Sequence, residues 1–105
     1  MIRGDVHEIS LPRRRGHVQH GGRFAVIVQA DDLLALSTVI VCPTSQSAPS
    51  TSFRPSIAIA GEDTRVLCEM VRAVDTRSLG DQIAHLSVDE IASVDDALEL
   101  VLALS

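Results

Sequence analysis

The chain has 105 residues, a net charge of −5 and 46% apolar residues, with Phe24 and Phe53 as its only aromatics. That length carries one core comfortably and not two, so residues 1–105 are expected to form a single domain. The lack of Trp and Tyr excludes base stacking on those rings and leaves Val, Ile, Leu and Ala to fill the interior.

Every basic residue is Arg. Five of them stand in residues 1–23 against Asp5 and Glu8, a net of +3, while the remainder of the chain carries −8. An Arg-rich end can hold phosphate locally while an acidic remainder keeps the protein soluble. Cys42 and Cys68 show no CxxC spacing and lie in apolar runs, so both are expected buried and reduced. No apolar run approaches the length of a membrane span, and Met1 to Ile9 lacks the hydrophobic segment of a signal peptide. A cytoplasmic protein is expected.

In chain order, Gly4 to Leu11 reads as a half-buried strand, with Val6, Ile9 and Leu11 alternating against polar residues. Pro12 to Gly22 is a loop by composition. Phe24 to Ala30 is an apolar strand, and Asp31 and Asp32 stand where they would cap a short helix through Leu36. Ser37 to Pro43 is continuously apolar, as a strand buried on both faces would be. The hydroxyl-rich run Thr44 to Arg54 predicts a long mobile connection. Pro55 to Ala60, a turn at Gly61 to Asp63, and one long strand from Arg65 to Val74 read as a hairpin. Leu79 to Leu86 adds a short strand centred on Ile83 and Ala84. Ser87 and Glu90 form a capping box, after which Ile91, Val94, Leu98, Val101 and Leu102 recur at helical spacing. Short strands followed by one terminal helix predict a mainly β protein with α: a small, strongly curved antiparallel barrel closed by a C-terminal helix.

Candidate chemistry gathers between Pro12 and Ser47. Arg23 follows a glycine pair, and its planar guanidinium suits a phosphate or a pentacoordinate phosphorane; most arginines at strand starts are simply solvated. Thr44 and Ser45 end the partner strand, where a hydroxyl can donate to a nonbridging oxygen or merely form a turn. Arg13, Arg14, Arg15 and Gln19 make a polar, basic loop able to contact RNA phosphates. His17 and His20 within it are of the type that supplies acid and base for RNA transesterification near neutral pH, although loop histidines are more often passive. No Cys, Asp or Glu completes a ligand set with them, so neither a metal nor any other cofactor is expected. Walker, Rossmann and GxSxG signatures do not occur.

Taken together, Arg3-Gly4-Asp5-Val6, Gly21-Gly22-Arg23, Val26-Ile27-Val28-Gln29 and Thr38-Val39-Ile40-Val41 leading to Pro43-Thr44-Ser45 resemble the MazF/PemK toxins of bacterial toxin–antitoxin systems. Glu69 to Asp75, EMVRAVD, resembles that family's E-Q-[IV]-R-[ST]-[IV]-D segment, and Val94-Asp95-Asp96-Ala97-Leu98 its closing V-D-x-A-L run. The resemblance implies an SH3-like barrel, a homodimer, and metal-independent, sequence-specific cleavage of single-stranded RNA by attack of the 2′-hydroxyl on its own phosphate. It implies that Arg23 matches the catalytic Arg and Ser45 the catalytic Thr or Ser, with Thr44 as the neighbour that takes the role if the match slips by one. A cognate antitoxin is implied as well, its C-terminal segment lying across the RNA groove near the basic end.

Departures from the pattern are local. Val18 stands where the family often has an acid, leaving His17 or His20 to substitute; Phe24 replaces a proline, His7-Glu8 replaces an aromatic-rich pair, and Ala73 a hydroxyl. Arg72 is expected to pair internally with Asp75 or Glu69. Leu100 and Leu104 fall on a different helix face from Ile91 and Leu98, which is compatible with a second buried surface in a dimer. Two alternatives to a ribonuclease are a toxin of the same barrel that poisons a protein such as DNA gyrase, and a degenerate toxin that binds antitoxin only. The non-aromatic end, Leu102 to Ser105, argues against the gyrase poison.

Overall fold

The computed structural model describes residues 1–10 and 24–104. Seven strands form one sheet: β1 (Asp5–Ile9), β2 (Phe24–Ile27), β3 (Thr38–Ser45), β4 (Ser56–Ile59), β5 (Glu62–Val66), β6 (Arg72–Asp75) and β7 (Leu79–His85), followed by the helix α1 (Val88–Leu102). Their order is β4-β5-β3-β2-β1-β7, with β6 also on β3, and all described pairings are antiparallel.

Both faces are covered only at the centre of the sheet, along β2 and the second half of β3, which is why those stretches read as continuous apolar runs. Val6, Val26, Cys42, Ile57, Ile59, Val66 and Cys68 point to one side and pack with Leu86, Val94, Ala97 and Leu98. Ile9, Ala25, Ile27, Val39, Val41 and Val74 form a second cluster. The expected mainly β fold, a curled antiparallel sheet with one C-terminal helix, is the observed one.

The expected long strand from Arg65 to Val74 is broken. β3 pairs Val41 with Arg72 and Thr44 with Val66, so three steps along β3 are matched by six along its partner. A 3-10 turn at Cys68–Met70 takes up the three extra residues where the sheet bends. β3 itself runs to Ser45, two residues beyond the expected end, because β5 continues the pairing opposite Thr44 and Ser45. Neither hydroxyl belongs to a mobile connection.

Other differences are smaller. β2 stops at Ile27, and Asp31–Leu33 is one 3-10 turn rather than a helix through Leu36. Between β2 and β3 the side chain of Gln29 replaces ladder bonds, donating to the Leu33 carbonyl at 2.7 Å and accepting from the Ile40 amide at 3.0 Å. The β4–β5 turn is Ala60-Gly61, at φ of 51° and 80°, between the paired Ile59 and Glu62. Two positive φ values are what a two-residue type I′ hairpin requires, so the turn falls one residue earlier than its composition suggests.

The capping box of α1 is complete: Ser87 Oγ accepts from the Glu90 amide and Glu90 accepts from the Ser87 amide. Glu90 also accepts from the Ala58 amide at 2.9 Å, which ties the helix start to β4. Burial acts to raise its carboxyl pKa, but these backbone donors outweigh it and the group titrates below its ordinary value. Val94 and Leu98 face the core as expected and Ala97 joins them, whereas Leu102 is exposed.

The helix is seated on Arg3-Gly4-Asp5. Arg3 donates through Nε to the Val28 carbonyl at 2.9 Å and through Nη2 to Asp95 Oδ1 at 2.7 Å, joining the end of β2 to α1. Gly4 lies at φ 94°, where an added Cβ would come within 2.8 Å of Ile91 Cδ1. Asp5 is buried and accepts from the Ile2 amide, from Gln82 and from His85. Burial raises its pKa, yet the Ile2 amide and the His85 contact prevail and hold the carboxyl below the usual range.

Candidate active site

Of the sequence-derived site residues, Arg13, Arg14, Arg15, His17, Gln19, His20 and Arg23 lie outside the described residues. Thr44 and Ser45 are described, and both are buried in β3. Strand alternation turns them to opposite faces. Thr44 shares a face with Cys42 and donates its hydroxyl to the Phe24 carbonyl at 3.2 Å. The hydroxyl end of β3 is thereby bonded to the first described residue of β2.

Ser45 Oγ accepts from the Ala48 amide at 3.1 Å and the Ser47 amide at 3.3 Å, with Ser47 Oγ also at 3.3 Å. These bonds fold the chain back at the strand end, the turn-forming role open to a serine there. The two amides take up lone pairs of Oγ, and either hydroxyl can be the donor between Ser45 and Ser47.

Directly across the ladder from Ser45 is Arg65, which also pairs with Ser56 on β4, so Arg65 stands between two serines in one cross-strand row. Asp63 holds Arg65 Nη1 at 2.7 Å, while Arg65 Nε is buried with no hydrogen-bond partner. Sequence reasoning passed over this arginine as a strand residue. Its only signal is an unexpected cation in the run from Thr64 to Leu67, and the register that sets it opposite Ser45 is a tertiary fact.

The 3-10 turn after β5 presents Glu69, whose Oε2 accepts from Arg54 Nε at 2.8 Å and Nη2 at 2.6 Å. Arg54 lies over the Phe53 ring, 5.4 Å from its centroid, and Glu69 Oε1 is buried without a partner. Glu69 is therefore paired with Arg54, and Asp75 with Arg77 at 2.9 Å. The expected internal pairing of Arg72 is not found: Arg72 is exposed and forms no ion pair among the described residues. Along β6 Arg72 and Ala73 are exposed and only Val74 is buried. Among the described residues no three His, Cys, Asp or Glu side chains converge as a metal-binding group.

A curled antiparallel sheet closed by one C-terminal helix, with hydroxyls buried where the two central strands meet, defines a small, mainly β domain. The family model of PemK-like, MazF-like toxins of type II toxin–antitoxin systems matches residues 2–102, and the chain belongs to that family. A candidate toxin of Mycobacterium tuberculosis, Rv3098A, is 35% identical over 106 residues, covering 99% of each chain. Solved structures share the fold at lower identity. An endoribonuclease in complex with its cognate antitoxin from a mycobacterial species superposes with a TM-score of 0.82 at 14% identity, over 100% of this chain and 97% of that one. MazF from Deinococcus radiodurans gives 0.81 at 23% identity, over 98% and 96%. No helix among the described residues is long and apolar enough to cross a membrane.

Proposed function

We propose that this toxin is an endoribonuclease that cleaves single-stranded RNA by transesterification, using Arg23 and a hydroxyl at the end of β3. In that reaction the 2′-oxygen bonds to the adjacent phosphorus, the bond from phosphorus to the 5′-oxygen breaks, and the products carry a 2′,3′-cyclic phosphate and a 5′-hydroxyl. The protein has to orient the strand, stabilise charge on the phosphorane and move two protons. Arg23 supplies the charge. Ser45 donates to a nonbridging oxygen, and His17 or His20 in the basic loop exchanges the protons.

The observation that carries this reading, alongside family membership, is the bond from Thr44 to the Phe24 carbonyl, since Phe24 is covalently joined to Arg23 and Thr44 to Ser45. Ser45 is favoured over Thr44 as the donor because the Thr44 proton is directed at that carbonyl. Arg13, Arg14, Arg15 and Gln19 would contact RNA phosphates. The protein acts as a cytoplasmic homodimer, neutralised by a cognate antitoxin, as the antitoxin complex of its structural neighbour suggests.

The test is incubation of antitoxin-free protein with a long RNA in EDTA, mapping the cut ends for the wild type and for Arg23→Ala, Ser45→Ala and Thr44→Val. Cuts at a recurring short motif with cyclic phosphate ends, lost in Arg23→Ala and reduced on the order of 100-fold in Ser45→Ala, are expected. Loss in Thr44→Val alone transfers the donor role to Thr44. An inert wild type that still captures its antitoxin overturns the ribonuclease reading.

A further inference from the structure

We propose that Cys42 and Cys68 are a reversible oxidation site, closing a cross-strand disulfide when the folded protein meets a hydroperoxide. The register that pairs Thr44 with Val66 and Ser45 with Arg65, continued inward through the bond from the Leu67 amide to the Pro43 carbonyl at 2.9 Å, sets Cys42 opposite Cys68. Each cysteine directly adjoins that hydrogen-bonded pair, Cys42 within β3 and Cys68 at the start of the 3-10 turn. Disulfides span Cα separations of about 4.4–6.8 Å. Both side chains belong to the same core cluster, and each thiol shifts the titration of the other.

The pair is chemically unequal. The neighbouring Cys68 thiol and desolvation both push the Cys42 thiol up. The neighbouring Cys42 holds the Cys68 thiol down against burial. Cys68, on the 3-10 turn, is the attacking sulfur and Cys42, held within β3, the resolving one. The Cys68 thiolate attacks one peroxide oxygen, so a sulfur–oxygen bond forms as the oxygen–oxygen bond breaks, and the departing hydroxide takes up a proton to become water. The Cys42 sulfur, giving up its proton, then attacks the sulfenic sulfur; the disulfide forms, the sulfur–oxygen bond breaks, and a second water leaves. Two thiols lose two electrons and one peroxide gains them.

Both thiols are fully buried, so access depends on local opening. Cys68 opens the 3-10 turn, which is held by the Met70 amide on the Leu67 carbonyl and the Val71 amide on the Cys68 carbonyl. A segment with so few backbone bonds is the kind that opens below the global unfolding limit. Once closed, the disulfide would fasten this turn, and with it Glu69, to the strand that ends in Thr44 and Ser45.

The experiment treats the folded wild type with millimolar hydrogen peroxide, blocks remaining thiols under denaturing conditions, and maps peptides without reductant. A Cys42–Cys68 cross-linked peptide that dithiothreitol reverses is expected, with a rise in Tm on the order of 10 °C for a loop of this length. In Cys42→Ser, dimedone should trap a sulfenic acid on Cys68; in Cys68→Ser, Cys42 should stay alkylatable. Recovery of both cysteines as blocked thiols from the peroxide-treated wild type, or cross-links found only between molecules, overturns the proposal, and that result needs no variant to fold.

Discussion

Replacing Gly4 by alanine tests how the helix is seated on the sheet. Two costs combine. The φ of 94° puts a Cβ in the left-handed region, at about 1–2 kcal/mol. That Cβ also meets Ile91 Cδ1 at 2.8 Å and His85 Cε1 at 3.2 Å, an overpacking worth about 1–3 kcal/mol. Gly4→Ala should therefore destabilise by about 2–5 kcal/mol, lowering the urea midpoint by roughly 1–3 M at an m-value of about 1.5 kcal/mol/M. Ile91→Val deletes the atom nearest the new methyl and should cost about 1 kcal/mol alone. In the double variant the clash is relieved while the backbone strain stays, so the two substitutions should couple by about 1 kcal/mol in the compensating direction. A wild-type midpoint for Gly4→Ala, or strict additivity in the cycle, would refute the reasoning.

Three further outcomes are expected. Ala60→Gly should stabilise by about 0.5 kcal/mol, because relief of a positive φ exceeds the extra freedom of the unfolded chain; an unchanged or lower urea midpoint would count against the type I′ turn. Asp5 and Glu90 titrate below their ordinary 3.8 and 4.5, and Asp75, beside Arg77, is lowered to about 2. Since the folded pKa is the lower one, these carboxylates stabilise the protein above the ordinary values, and that contribution drains away as pH falls through the folded ones. Tm should decline from about pH 5 toward pH 2, less steeply in Glu90→Gln, and a slope unchanged in that variant would remove Glu90 from the account. Leu100 and Leu104 are 56% and 69% exposed, and if they bury a dimer surface, Leu100→Asp with Leu104→Asp should shift sedimentation to the monomer while leaving the far-UV spectrum unchanged. A wild type that sediments as a monomer at micromolar concentration would end the dimer reading.

Much of this protein was legible in local pattern. The capping box at Ser87 and Glu90, the spacing of Val94 and Leu98, and the alternation of Ile57 and Ile59 report short-range constraints, and each element forms where its residues indicate. The order of strands followed by one helix was enough for the class of fold. Arg3-Gly4-Asp5 and Gln29 were legible only as pieces of a family resemblance. The structure shows that they bridge α1, β2 and β3 through bonds no spacing announces.

What the sequence could not determine depends on register and on which strand lies beside which. Thr44 and Ser45 look like loop residues by composition and become strand residues because β5 pairs opposite them. The run from Arg65 to Val74 looks like one strand and is two, because the sheet bends at Cys68–Met70. Arg65 pairs with Ser45, Cys42 and Cys68 join one core cluster, and Glu69 takes Arg54 rather than Arg72, all through contacts between residues far apart in the chain. Local sequence sets propensity and periodicity, but antiparallel register is a cooperative outcome of packing two opposed apolar faces, so only the tertiary structure decides which polar groups meet.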